Sequence, residues 1–234
     1  MTVVDDGFWC PTLIDKIRNF LRLGIKNDNV LDHRQAFVSN IAYNLQYLEF
    51  LNHLLTEKKL HATVLTQTQK TFIITGMAVI EAILWYVLRK NGMQKIDEWK
   101  EIKKLSPLPF KEGETDFLVR TTILKKRDKP IEVEMPLDSM IKRVESKKLF
   151  GVDHQVYQNL NYLRKLRNRV HIHAVQHDND TDWYSFNSRE VKLMKKVLLS
   201  VLVSDLFEPE AKHEQIIGYL KVNETVDQLV DEVP

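Results

Sequence analysis

One cysteine, Cys10, carries all the thiol chemistry of this 234-residue chain, which excludes an internal disulfide and a multi-cysteine zinc site. Cys10 precedes Pro11 and has no local activating context, so an inert thiol is expected, as in a reducing compartment. Long apolar runs are also missing: no stretch reaches the ~18 uninterrupted apolar residues of a membrane span. The opening segment MTVVDDGFWCPTLIDK is acidic and unlike a secretory leader. Together these predict a cytoplasmic protein without a membrane partner. A net charge of +2 is too small for a general polyanion coat, so any polyanion site must be local. The sequence holds no GxxxxGK[ST], GxGxxG or GxSxG, the elements on which P-loop, dinucleotide-binding and serine-hydrolase chemistry depend.

Glycine and proline are sparse at seven each, which leaves few interruptions to apolar spacing of three and four residues. A mainly helical, all-α fold follows. A first helix is predicted at about 12–23. A second is predicted from a cap at Asp32 through Phe37, Ile41, Leu45, Leu48, Leu51 and Leu55 to near Lys58. A third spans about Thr63 to Asn91 and stops at Gly92. Its stretch FIITGMAVIEAILWYVL is nearly all apolar, as a central helix requires, and Glu81 inside it needs a partner.

Pro107, Pro109, Gly113, Pro130 and Pro136 then break the pattern. Within DFLVRTTILKKRDKPIEVEM, β-branched residues and alternation predict an inserted β-hairpin at about 97–136, with its turn near Arg127, Asp128 and Lys129. The KKRDK run is read as a solvated turn rather than a nucleic-acid finger. Beyond it, Asp138 is expected to cap a helix to about Lys148, and Asp153 the helix that follows. Asn187 and Glu190 form a capping box for a last core helix at 188–207, ended by Pro209. Residues 1–207 thus read as one helical domain carrying the insertion, and 208–234 as an appended helix and frayed tail.

The segment LRKLRNRVHIHAVQHDND, 163–180, concentrates three arginines and three histidines. At about 100° per residue, His171 falls within about 20° of Arg164, with Arg167 and Asn168 to either side of it. Leu163, Leu166 and Val170 form the adjacent core-facing stripe, so the cations border the core. No acidic residue lies between Asp153 and Asp178 to neutralise them within the helix. Glu81 pairing with one arginine, acidic residues of a second subunit, or a phosphate would each supply the charge. Arginine matches phosphate oxygens with a planar fork, and a histidine beside it exchanges protons near neutrality. Cleavage of RNA by its own 2′-hydroxyl needs that set of groups and needs no metal.

Arg164-Lys165-Leu166-Arg167-Asn168-Arg169-Val170-His171 resembles the signature of the HEPN superfamily: an arginine, about four to six residues, then a histidine. Arg164 and His171 enclose six residues, and Arg167 and His173 enclose five, so both pairs fit; Asn168 takes the polar position after Arg167. The resemblance extends over about 33–207. It implies an antiparallel helical bundle that dimerises through its motif helices, often a ribonuclease of toxin, antiphage or CRISPR-associated systems that uses no cofactor. It makes Arg164 or Arg167 the arginine, with Asn168 positioning one of them. A straight helix favours His171 over His173, which lies about 180° from Arg164. Family members also include inactive RNA- or protein-binding modules and partners of nucleotidyltransferase antitoxins.

Other signals are weaker. His173 and His177 have helical metal-ligand spacing and Asp178, Asp180 and Asp182 follow closely, but there is no cysteine partner and no Glu positioned as in HExxH. The DNDTD run lacks the glycine and the final glutamate of a calcium loop. Trp183 and Tyr184 are expected to pack over the bundle end rather than stack on a base.

Overall fold

The computed structural model describes residues 9, 11–26, 29–173, 175, 177–208, 210 and 213–222. Cys10, Pro209 and the tail beyond Val222, each the subject of a sequence expectation, lie outside them. Among the described residues the fold is mainly helical. The chain divides into two compact units, one of Gly92–Pro136 and the other of the sequence on either side.

The helical unit begins with α1 (Ile14–Gly24), α2 (Arg34–Glu57) and α3 (Ala62–Lys90). After the strands come α4 (Leu137–Ser146), α5 (His154–Arg167) with a 3-10 turn at Asn168–Val170, α6 (Asp182–Ser185), α7 (Ser188–Leu202) and α8 (Glu214–Ile217). Helix α3 packs against α2, α4, α5 and α7, as its all-round apolarity requires. Its length and composition would suffice to cross a membrane, and 61% of that apolar window is buried inside the fold. Phe72, Ile73, Met77, Ile80, Ile83 and Leu84 are fully buried on it. Gly76 brings α7 close, because a Cβ there would lie 3.0 Å from the Met194 side chain.

Local capping explains several boundaries. The Asp153 carboxylate accepts from the Gln155 backbone N–H at 2.7 Å, and the Asn187 amide oxygen accepts from Arg189 N–H at 2.9 Å. Each satisfies an otherwise unpaired donor of the first turn. Asp32 does not act in this way: α2 starts after His33, whose side chain makes no capping bond. Asp138 lies inside the first turn of α4, where a carboxylate favours the helix dipole without capping it. Gly92, with φ +64°, follows α3 in the left-handed region expected of a C-terminal stop. Helix α7 ends at Leu202, five residues short of the expected 207.

The strand unit corrects the expected hairpin. β1 (Lys95–Lys104) pairs antiparallel with β4 (Thr122–Val133), and β2 (Leu108–Glu112) pairs antiparallel with β3 (Thr115–Val119). Chain reversal occurs at Gly113-Glu114, between the Glu112–Thr115 pair, and Gly113 has φ +61°. Positive φ at the first position of a two-residue loop costs glycine little, and KKRDK offers no such residue. Arg127, Asp128 and Lys129 instead lie within β4, where the register slips between the Asp97–Ile131 and Trp99–Lys126 pairs.

Candidate functional site

Helix α5 presents its cations beside a buried seam. Tyr157, Leu160, Leu163 and Leu166 are buried against the bundle. Arg164 and Arg167, one turn apart, emerge at the edge of that seam, both partly shielded. The Arg167 Nη2 donates to Glu81 Oε2 at 2.9 Å, so the carboxylate inside α3 has found an arginine partner on α5. The Arg164 side chain makes no hydrogen bond or ion pair among the described residues, and its Nε is withdrawn from solvent without an acceptor.

The predicted single stripe ends at Arg167. There the α-helix tightens into the 3-10 turn, and His171 caps that turn with an extended backbone (φ −81°, ψ 92°). A helix wheel therefore cannot place His171 relative to Arg164, and the geometric choice of His171 over His173 fails. Val170, expected in the core, is 46% exposed because it follows the end of the α-helix. His171 and His173 are both exposed, their ring centroids 6.0 Å apart and inclined by 49°. Neither ring bonds to Arg164, Arg167 or the exposed Asn168 among the described residues. His171 N–H donates to the Asn168 carbonyl at 3.3 Å, holding the turn closed.

The third arginine has a structural role that the sequence did not indicate. Arg169 Nη1 lies 2.5 Å from Asp180 Oδ1, and Nη2 donates to the Asp180 carbonyl at 3.1 Å. In the sequence Asp180 reads only as part of a polar loop; the pairing crosses eleven residues, too far for a helical-spacing argument. Nearby on α5, Tyr162 donates to Glu190 Oε1 of α7 at 3.0 Å. Burial, together with this bond to a carboxylate, raises the Tyr162 phenol above its ordinary value. Glu190 is thereby engaged away from the α7 cap, leaving Oε2 buried and without a partner.

Further along, Asp182 of α6 accepts from Lys70 Nζ at 2.8 Å and from Gln67 Nε2 at 3.0 Å. This fixes the chain after the histidines onto α3. Trp183 and Tyr184 do not pack over the bundle end: they are 55% and 70% exposed, and Phe186 is the buried ring instead. Among the described residues, no three His, Cys, Asp or Glu side chains gather as ligands of one metal ion.

The arrangement offers an unpaired guanidinium, a second guanidinium oriented by a carboxylate, and two accessible imidazoles a few residues beyond. Such a set can bind a phosphate and exchange protons beside it. The chain matches no family model, no curated protein and no solved structure.

Proposed function

We propose that this chain is a HEPN-type, metal-independent endoribonuclease working in the cytoplasm in a toxin or antiphage-defence setting. The observation that carries the reading is Arg164. A guanidinium shielded on one side and unpartnered at the helix edge is electrostatically incomplete, and a phosphate would complete it. His171 or His173 would take the proton from a ribose 2′-hydroxyl. The 2′-oxygen then bonds to phosphorus while the bond to the 5′-oxygen breaks. A protonated imidazole supplies the leaving oxygen with its proton, giving a 2′,3′-cyclic phosphate and a 5′-hydroxyl. Arg164 and Arg167 neutralise the phosphorane charge, Asn168 positions one of them, and Glu81 holds Arg167 in orientation. The family resemblance adds an antiparallel HEPN bundle acting as a homodimer, with an antitoxin or defence-system protein as a further partner.

A second reading is a non-catalytic HEPN module that binds RNA or protein, or serves as the partner subunit of a nucleotidyltransferase antitoxin. It is favoured by the ion pairs of Arg167 with Glu81 and Arg169 with Asp180, which give two of the three arginines structural work.

Incubation of the purified protein with total RNA in excess chelator distinguishes the two. The enzyme reading expects fragments ending in cyclic phosphate, abolished by His171→Ala or His173→Ala. RNA left intact at high protein concentration overturns it. Loss of the dimer or of thermal stability in Arg164→Ala, with no cleavage by the parent, supports the module.

A further inference from the structure

We propose that the β1–β4 ribbon binds a nucleic-acid strand through its phosphodiester backbone, on the face formed by Lys100, Lys103 and Lys125. Lys100 and Lys125 are direct cross-strand partners, so their side chains leave the ribbon on the same face at close range. Like charges so placed repel, and neither lysine has an acidic partner among the described residues.

Lys103 joins them because of the irregularity at Ile102. The ladder passes from Glu101–Leu124 directly to Lys103–Ile123, so one extra β1 residue is absorbed there and the alternation of faces is reset. An ion pair confirms the reset: Glu101 and Lys104 bond at 3.5 Å although three residues apart, which a regular strand would place on opposite faces. Lys103 therefore lies two ladder steps from Lys100, about 7 Å along the strand. The nearby anions leave the three lysines uncompensated. Asp97 is taken by Arg127 at 3.2 Å, Glu101 faces the other way, and Glu98 forms no ion pair with any of them.

A row of exposed cations at regular steps suits a ligand with regularly repeated negative charge. The opposite face carries Trp99 and Leu124, 50% and 51% exposed, with Lys126 directly across from Trp99. An anionic membrane would need cations and insertable apolar groups together; the lysine face sets three cations beside Ile123, whereas Trp99 and Leu124 lie on the other face with Lys126 and the Glu101–Lys104 pair. The choice of RNA as the natural strand rests on the function proposed above; the anion-binding face does not.

The test uses the full chain carrying His171→Ala and His173→Ala, so that bound RNA survives. Binding of a labelled oligouridylate is followed by fluorescence anisotropy over a range of KCl concentrations, with the matching oligodeoxyuridylate, phosphatidylserine vesicles and polyglutamate as further arms. Lys100→Gln, Lys103→Gln and Lys125→Gln combined should weaken RNA binding. The slope of log affinity against log salt should fall by about 2, at about 0.7 for each phosphate no longer neutralised. The triple arginine replacement should retain binding, which separates loss of charge from loss of fold. An unchanged salt slope, binding of neither strand, or equal lysine-dependent binding of vesicles or polyglutamate overturns the proposal, whereas lysine-dependent binding of the DNA strand alone keeps the anion-binding face and overturns RNA as its natural strand. Lysine-dependent binding by a parent chain that cleaves no RNA would sink the enzyme reading and leave this one standing; cleavage with an unchanged slope would do the reverse.

Discussion

Arg167 on α5 and Glu81 on α3 meet at 2.9 Å across 86 residues of sequence, the side chain of each about one-third exposed. The pair joins the motif helix to the central helix, so it should be visible in stability. A double-mutant cycle with Glu81→Gln and Arg167→Gln, read by urea unfolding, should give a coupling of about 1–2 kcal/mol, between exposed and fully buried pairs. Arg164→Met keeps the apolar stem and removes an unpartnered charge, and should change stability by less than about 0.5 kcal/mol. Equal costs for Arg164→Met and Arg167→Gln would refute this division of labour.

Asp182 should link stability to acid pH. Burial pushes its carboxyl upward, but the bonds from Lys70 and Gln67 outweigh that and hold it below the ordinary carboxylate value. Because the folded value is the depressed one, the stabilisation is present above the ordinary carboxylate value of about 4 and is lost as pH falls through the folded value. Asp182→Asn should therefore cost about 2 kcal/mol at pH near 7. The difference from the parent should shrink below pH of about 4. A pH-independent difference would show that charge is not what the site uses.

Gly24 closes α1 against the C-terminal part of the helical unit. A Cβ there would lie 2.6 Å from Phe207 Cδ1 and 2.9 Å from the Leu206 carbonyl. The ring is fully buried and the carbonyl is backbone, so neither yields easily. Gly24→Ala should lose about 1–3 kcal/mol despite alanine's better helix propensity. Scanning calorimetry should record a fall in Tm of about 2–8 °C.

Gly113→Ala tests the strand unit alone. Its Cβ would meet nothing within 4 Å, so the cost is conformational, about 1 kcal/mol for φ of +61°. Amide exchange should quicken across Leu108–Val119, while the helical unit keeps its melting temperature. A cooperative loss of both would contradict local strain.

What was legible in the sequence was short-range. Asp153 and Asn187 act as caps because capping needs only a side chain and an amide two residues on. The apolar stretch of α3 announced a central helix, and Glu81 within it announced the need for a cation. Which arginine would answer could not be read, since three were available. The hairpin reversal was misplaced because a charged run resembled a turn, whereas the decisive property was the positive φ that Gly113 accepts. The histidines were misplaced because nothing local marks Arg167 as the last α-helical residue: no glycine follows it. The arginines of the motif therefore fall on the expected helix, and its histidines beyond the point where that helix stops.

The clamp between Arg169 and Asp180 gives that stop a consequence. It ties together the two ends of the stretch holding His171 and His173, and the described residues of that stretch, both histidines included, are not α-helical. Helical pitch therefore does not fix their separation from Arg164, and the guanidinium–carboxylate pair constrains the stretch that carries them instead. Asp180 can thus act on the histidines without touching either ring, and in the proposed enzyme a change at this remote carboxylate would alter the spacing between Arg164 and His171 or His173.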